Sequence, residues 1–384
     1  MKASIYTNLS ECSGCRACVE ICPLNCISMI KDTENFEYPI INEKVCVNCK
    51  KCEKVCPLKQ SEYNNIKKAV VGVHSANEVY KSSSGGAFWA LCQILIPQGY
   101  VVAGVKYTDK FMVVHDIAYT LEEAQAFRKS KYIMPNTYGI FTKVKSLLKD
   151  GYKVMFTGSP CQVAACKKFI GNNENLLLVD LVCHGAPNQD VFNKEIEYLE
   201  LKHKGKLESF EFRNKEPING CVNSRSAKYI IDNQSYIVEI KDDPFLNGYY
   251  SRLFYRPSCG TCHFARPERV SDITIADAWG IKLIYPEFND LKGTSLILLN
   301  TEKGINLYDS LKEKMKLLPV EIQWAIDSNQ QLKTPTSFHK NRQIFFENFN
   351  KISFNNNIKV CTYRSVLDKI LFRIHKIIKK CKII

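Results

Sequence analysis

The sequence reads as a small α+β module followed by a larger mixed α/β domain, and three observations predict this. The first 60 residues hold cysteines in a doubled, evenly spaced pattern. Further on, two apolar strand-like runs, 153–156 and 176–182, each end in a tight glycine turn that opens a helix, which is the α/β layout. After them, the runs 207–213, 228–232 and 234–241 have the pattern of antiparallel strands. At 384 residues the chain has room for two or three domains. The expected divisions are 1–60, 61–350 and a short C-terminal segment, 351–384.

The doubled pattern comes first. Cys12, Cys15, Cys18 and Cys22 are followed by Pro23, and Cys46, Cys49, Cys52 and Cys56 by Pro57. This is C-x2-C-x2-C-x3-C-P written twice, the spacing of bacterial two-cluster ferredoxins. Three cysteines at three-residue spacing wrap one loop around three corners of an iron–sulfur cube, and the fourth reaches the other cube. One [4Fe–4S] cluster is therefore expected on Cys12, Cys15, Cys18 and Cys56, the other on Cys46, Cys49, Cys52 and Cys22. Zinc sites use two separated pairs and give no reason for a crossed fourth cysteine before proline. Cys26 falls outside the pattern and is expected to be a packed thiol.

Eighteen cysteines in a large chain, placed in cluster motifs, point to a reducing cytoplasm and an organism that avoids oxygen. No charged and apolar leader precedes Cys12, so no secretory signal is expected. No apolar run is long enough to span a bilayer. The formal charge of +14 overstates the basicity, because cluster-bound cysteines are thiolates. A positive surface still favours an anionic partner. Nucleic acid is not expected, since no recognition motif or basic–aromatic interleaving is present.

After a polar linker at 61–68, a strand at 69–73 opens the large domain. The string Lys81-Ser82-Ser83-Ser84-Gly85-Gly86 then leads into an apolar helix at 87–96. A helix start of this kind binds phosphate or a similar anion, or is an ordinary capped core helix. Strands follow at 100–107 and 112–119, then a basic string, Arg128-Lys129-Ser130-Lys131-Tyr132, and a helix at 137–150. The first glycine turn is Thr157-Gly158-Ser159-Pro160-Cys161-Gln162, and the second is Cys183-His184-Gly185-Ala186-Pro187 before a helix at 191–203. Residues 301–350 read as mixed helix and loop.

Cys161 and Cys183 follow strands, and Cys259 and Cys262 form a C-x2-C pair. Together they suit a third metal site, although two of the four would serve equally as buried thiols, as expected for Cys92, Cys166, Cys221, Cys361 and Cys381. The strings SSSGGAF, SKY, FTGSPCQVAA, DLVCHGAP and CGTCHFARPERVSDITIADAWG, in this order behind the doubled motif, resemble the coenzyme F420 hydrogenase/dehydrogenase beta-subunit family. The resemblance spans 10–300. It implies a flavin-binding α/β domain carrying FAD, with Ser83, Ser84, Gly85 and Gly86 at the flavin, Ser130, Lys131 and Tyr132 nearby, and Gly158 and Pro160 in the same group. It also implies a third [4Fe–4S] cluster on Cys161, Cys183, Cys259 and Cys262. Two departures, Ala276-Asp277-Ala278-Trp279-Gly280 and Asn188, are expected to reshape the substrate pocket.

The family implies an iron–sulfur flavoprotein oxidoreductase that passes electrons between a two-electron carrier, coenzyme F420 or another anionic small molecule, and one-electron carriers. Lys131 or Arg128 would neutralise reduced flavin or bind that anion, and no acid–base residue is assigned. A one-electron redox protein or an enzyme subunit is the implied partner. The alternative is a ferredoxin-like electron-transfer subunit without catalysis of its own. Finally, apolar residues at 366–384 recur at helical spacing among lysines and arginines. Such a basic amphipathic helix lies on an anionic membrane face, here the inner one, or docks on protein.

Overall fold

The computed structural model describes residues 5, 8–59, 61–218, 221–222, 226–288 and 293–363. The basic segment 366–384, with Cys381, lies outside the described residues. No described helix is long and apolar enough to cross a membrane.

The N-terminal module is a hairpin, β1 (Ile27–Lys31) and β2 (Glu37–Ile41), with two one-turn helices, α1 (Ala17–Glu20) and α2 (Lys51–Val55). Its loops repeat a backbone device. Gly14 and Arg16 in the first motif, and Asn48 and Lys50 in the second, all have positive φ. Each pair stands two and four residues after the leading cysteine. For residues other than glycine this costs roughly 1 kcal/mol each, so the loops keep it only where the wrap of the chain demands it.

The large region is built on an eight-stranded mixed sheet. Its strands are β3 (Lys68–His74), β4 (Tyr100–Tyr107), β5 (Val113–Ala118), β6 (Lys153–Gly158) and β7 (Leu176–Leu181). A separate three-stranded antiparallel sheet follows, made of β8 (Leu207–Glu211), β9 (Ser226–Ile231) and β10 (Gln234–Glu239). The chain then returns to the main sheet as β11 (Ile273–Asp277), β12 (Ser295–Leu299) and β13 (Met315–Val320), giving the order β13-β3-β12-β11-β7-β6-β4-β5. The centre, β4-β6-β7-β11, is parallel, and antiparallel strands flank it.

Period-two alternation along the central strands feeds two cores. Val101, Ala103, Val154 and Phe156 face α4 (Ile140–Lys149) and α5 (Pro160–Ile170), whereas Val102 and Met155 face α3 (Ala87–Leu95) on the opposite side. The first of these cores also takes in Cys15, Ala17, Cys18 and Val55 from the N-terminal module. A third, aromatic core joins Phe36 and Tyr38 of that module to α6 (Gln189–His203), α7 (Pro244–Tyr250) and Phe345.

The N-terminal module is thus docked, not suspended. Thr137 Oγ1 donates to the Cys15 carbonyl at 2.8 Å, and Arg342 grips the Glu34 carboxylate with two nitrogens at 2.7 and 2.5 Å. The segment expected as a free linker is itself held, since Asn64 and Arg269 exchange main-chain hydrogen bonds. Three strands of the main sheet, β11, β12 and β13, escaped the sequence reading. The run Ser-Leu-Ile-Leu-Leu of β12 is too short and uniformly apolar to show a period, and β13 carries Pro319, which is tolerated because this strand lies at the sheet edge.

Candidate functional site

The eight motif cysteines gather in two sets, in the crossed arrangement. Cys12, Cys15, Cys18 and Cys56 are mutual neighbours: burial first, and then the charge of one another, pushes Cys15 and Cys18 far above the usual thiol range. Cys22, Cys46, Cys49 and Cys52 line one open cavity of about 340 Å³. Cys26 lines it too, a buried thiol as expected, with its Sγ 3.4 Å from that of Cys22. In both loops the N–H two residues on donates to the leading sulfur: Gly14 to Cys12 and Asn48 to Cys46, each at 3.4 Å. Such donors stabilise sulfur-centred negative charge.

The second constellation is assembled by topology. β6 and β7 are adjacent and parallel, so the loops leaving their C-terminal ends emerge side by side. The loop after β6 begins α5, with Pro160 at its first position and Ser159 and Gln162 closing a capping box. This fixes Cys161, whose Sγ lies 3.3 Å from Ser159 Oγ. The loop after β7 carries Cys183, then Gly185 at φ 128°, where a Cβ would come within 2.4 Å of the Tyr255 ring. Cys259 and Cys262 lie on and just beyond the turn Pro257–Thr261, which is tied to the Cys183 loop by the Arg256 N–H donating to the Ala186 carbonyl at 3.1 Å.

All four cysteines line one cavity of about 730 Å³, with Ser159, Pro160 and His184. Glu11, Ser13 and Leu58 of the N-terminal module line it as well. Burial raises each of the four thiols, Cys161 to about 11 and Cys259 to about 12, and the charges of the other three raise Cys183 further. Nearby, Arg269 Nη2 meets Asp180 Oδ2 at 2.6 Å with both side chains buried, and Arg269 Nη1 donates to the Phe264 carbonyl at 3.0 Å. The ion pair clamps the chain beyond Cys262 onto β7. His263 lines the cavity as well. Among the described residues, no group of three or more His, Cys, Asp or Glu closes on a single metal ion.

The serine–glycine string and the SKY string meet: the Ser130 N–H donates to Ser83 Oγ at 2.7 Å. Gly86, at φ 94°, opens α3, and a Cβ on Gly85 would stand 2.3 Å from the Gly72 carbonyl oxygen and 2.5 Å from the Ser295 nitrogen. That glycine is required by packing between β3 and β12. Ser84 Oγ donates to the Thr294 carbonyl at 3.0 Å, and Lys215 Nζ donates to the carbonyls of Ser84 and Val79. Tyr132 stacks on Tyr249 with ring centroids 4.4 Å apart.

Arg128, expected as a free anion binder, is instead spent. Its buried guanidinium pairs with Glu78 at 2.6 Å, bonds the Lys81 carbonyl and Ser82 Oγ, and lies over Trp89. Lys131 Nζ donates to the carbonyls of Ala126 and Arg128, and burial, then the neighbouring Lys129, lowers its ammonium to about 7. Gly158 and Pro160 are on the cysteine-cavity side of the fold: Pro160 lines that cavity, and Gly158 abuts His115 and Gln162. Asn188 caps α6 through Oδ1 and donates from Nδ2 to the Glu34 carbonyl, so this departure serves docking.

Residues 11–59 match the 4Fe-4S dicluster domain, and residues 151–323 match the family model described as coenzyme F420 hydrogenase/dehydrogenase, C terminus of the beta subunit. The chain thus joins a 4Fe-4S dicluster domain to a region similar to the C terminus of the coenzyme F420 hydrogenase/dehydrogenase beta subunit. The first match contains all eight motif cysteines and Cys26, and the second contains Cys161, Cys183, Cys259 and Cys262. Residues 83–86 and 130–132 lie outside both. No curated protein matches the chain. A similar solved structure is the F420-reducing [NiFe] hydrogenase complex from Methanosarcina barkeri, studied as a xenon derivative. It is 15% identical, covers 71% of this chain and 96% of that one, and has a TM-score of 0.45. The dicluster domain and the matched beta-subunit region make this an iron–sulfur protein of electron transfer.

Arg256, Asp180 and Arg269 were missed by the sequence reading. Arginine and aspartate are mostly exposed residues, and no local pattern marks the few that a fold buries in pairs or against carbonyls.

Proposed function

We propose that this chain is an FAD- and iron–sulfur-dependent oxidoreductase acting on an anionic two-electron carrier, coenzyme F420 being the one the family name points to. The observation that carries this is the convergence of Cys161, Cys183, Cys259 and Cys262 on one cavity that residues of the cluster-binding module also line. Four thiolates gathered in so buried a site would repel one another unless a metal centre answered their charge. Four sulfurs facing a cavity, without closing on one ion, fit a polynuclear cluster better than zinc. When bound, flavin takes or gives an electron pair, and iron–sulfur clusters carry electrons singly.

In this reading Cys12, Cys15, Cys18 and Cys56 hold one cluster, Cys22, Cys46, Cys49 and Cys52 a second, and the four cavity cysteines a third. The N–H groups of Gly14 and Asn48 stabilise the leading sulfurs. Ser83, Ser84, Gly85, Gly86, Ser130, Lys131 and Tyr132 form the flavin side. Ser159 orients Cys161. A second reading, an electron-transfer subunit without flavin, is favoured by the internal bonding of Ser84 and Arg128.

Anaerobic purification with iron, sulfide and flavin counted per chain separates the two. About twelve iron and one FAD support the oxidoreductase, and bleaching of that flavin by reduced coenzyme F420 supports the substrate. About eight iron and no flavin reject it in favour of the electron-transfer reading.

A further inference from the structure

We propose that Arg256 is the electrostatic bridge between the third cysteine site and the site of Cys12, Cys15, Cys18 and Cys56, where it raises the reduction potential. The proposal rests on the reading of Cys161, Cys183, Cys259 and Cys262 as a cluster site.

Arg256 belongs to both sites by covalent and hydrogen-bonded connection. Its main chain is part of the third site: the N–H donates to the Ala186 carbonyl beside Cys183, and the carbonyl accepts from the Cys259 N–H at 2.9 Å. Its side chain reaches from that site to the other. Nε donates to the Cys12 carbonyl at 2.7 Å, and Nη2 donates to the Glu37 carbonyl at 2.8 Å. The guanidinium lies over the Tyr38 ring, 4.4 Å from its centroid, and Nη1 faces Gly14, where a Cβ would come within 2.8 Å. Gly14 therefore makes room for the arginine as well as turning the loop.

The charge itself lacks an ordinary counter-ion. The residue is 4% exposed, yet among the described residues no carboxylate pairs with it. Glu37, the nearest acid in its bonding, offers only a carbonyl and turns its side chain to Arg16. A buried cation costs several kcal/mol unless an anion answers it. The anions that would answer it are the cluster-bound sulfurs of the two sites. Adding one electron to a cluster adds one negative charge, so a fixed cation beside it stabilises the reduced form and raises its potential. Because the same guanidinium faces both sites, an electron passes from one to the other without leaving its field. The transfer moves one electron and breaks no bond.

The test compares the full chain with Arg256→Gln and Arg256→Lys, purified anaerobically. Iron per chain is counted, and a redox titration is followed by electron paramagnetic resonance. With iron retained, Arg256→Gln is expected to shift at least one cluster signal to lower potential, while Arg256→Lys stays near the parent. Unshifted signals in Arg256→Gln with full iron overturn the proposal and leave a packing role. If Arg256→Gln loses iron, retention in Arg256→Lys supports the charge, and equal loss in both overturns it. A parent protein with about eight iron and no third signal instead rejects the third cluster itself, whatever the variants do.

Discussion

The two kinds of cysteine site in this chain are built by different means. In the N-terminal module, six of eight cysteines belong to triplets spaced at three residues, and the wrap is set by the backbone at Gly14, Arg16, Asn48 and Lys50. The third set draws on segments up to about a hundred residues apart, from Cys161 to Cys262, and nothing local brings them together. It depends on β6 and β7 being parallel neighbours, on an ion pair behind them and on Arg256 in front. A site written in local spacing tolerates changes in the distant fold. A site written in topology does not.

The sharpest way to break this comparison is to remove ligands. Cys161→Ala with Cys183→Ala is expected to lose about a third of the iron while the dicluster signals persist. Unchanged iron per chain sinks the third site. Next in size is the buried pair. Asp180→Ala strands Arg269 and is expected to cost about 3–5 kcal/mol in denaturant unfolding, with the third signal lost before the others. Replacing both partners with apolar residues of similar volume should recover most of that loss, and no recovery would mean the pair does more than clamp.

A pH series probes the scaffold behind the third site. Asp243 caps α7, whose Tyr249 hydroxyl bonds the Gly185 carbonyl beside Cys183. Burial holds Asp243 protonated up to about 7, and the adjoining Glu195 is raised by burial and by the Asp243 charge, with Lys202 the cation working against both. The folded chain thus keeps a proton that the unfolded chain releases near pH 4. The contribution of this pair to stability is expected to be greatest in acid and to fall as pH rises from about 4 through about 7, where the part due to Asp243 levels off. Asp243→Asn, which keeps a capping oxygen, should remove about 2–4 kcal/mol of that fall. A parallel fall in the variant would reject the assignment. The smallest effect concerns docking: Thr137→Val deletes the hydrogen bond to the Cys15 carbonyl and should cost about 1 kcal/mol in unfolding, without loss of iron. Loss of iron in that variant would show that the local site, too, leans on the fold.

Much of this was legible beforehand, for reasons that differ by residue. The crossed pairing of Cys22 and Cys56 followed from spacing alone. The positions of Cys161 and Cys183 at strand ends followed from apolar runs stopping at glycine turns, and the family resemblance supplied their company with Cys259 and Cys262. Arg128 was misread as a free cation because a basic string looks solvated until Glu78 and Trp89 are seen to enclose one member of it. Cys26 lies outside the motif, which ends at Pro23, and no spacing showed that the chain turns back at Asn25, at φ 49°, and returns the thiol to Cys22.

The sequence by itself determined the elements whose physics is short-range: the cysteine loops, the capped start of α5 at Ser159 and Pro160, and the alternation that gives the central strands two buried faces. Tertiary structure decided what no window of residues contains. It set β7 beside β6, buried Asp180 against Arg269, and carried Arg256 across to Cys12. Those choices depend on how sheets and helices share their apolar faces, and that sharing is settled only when the whole chain is packed.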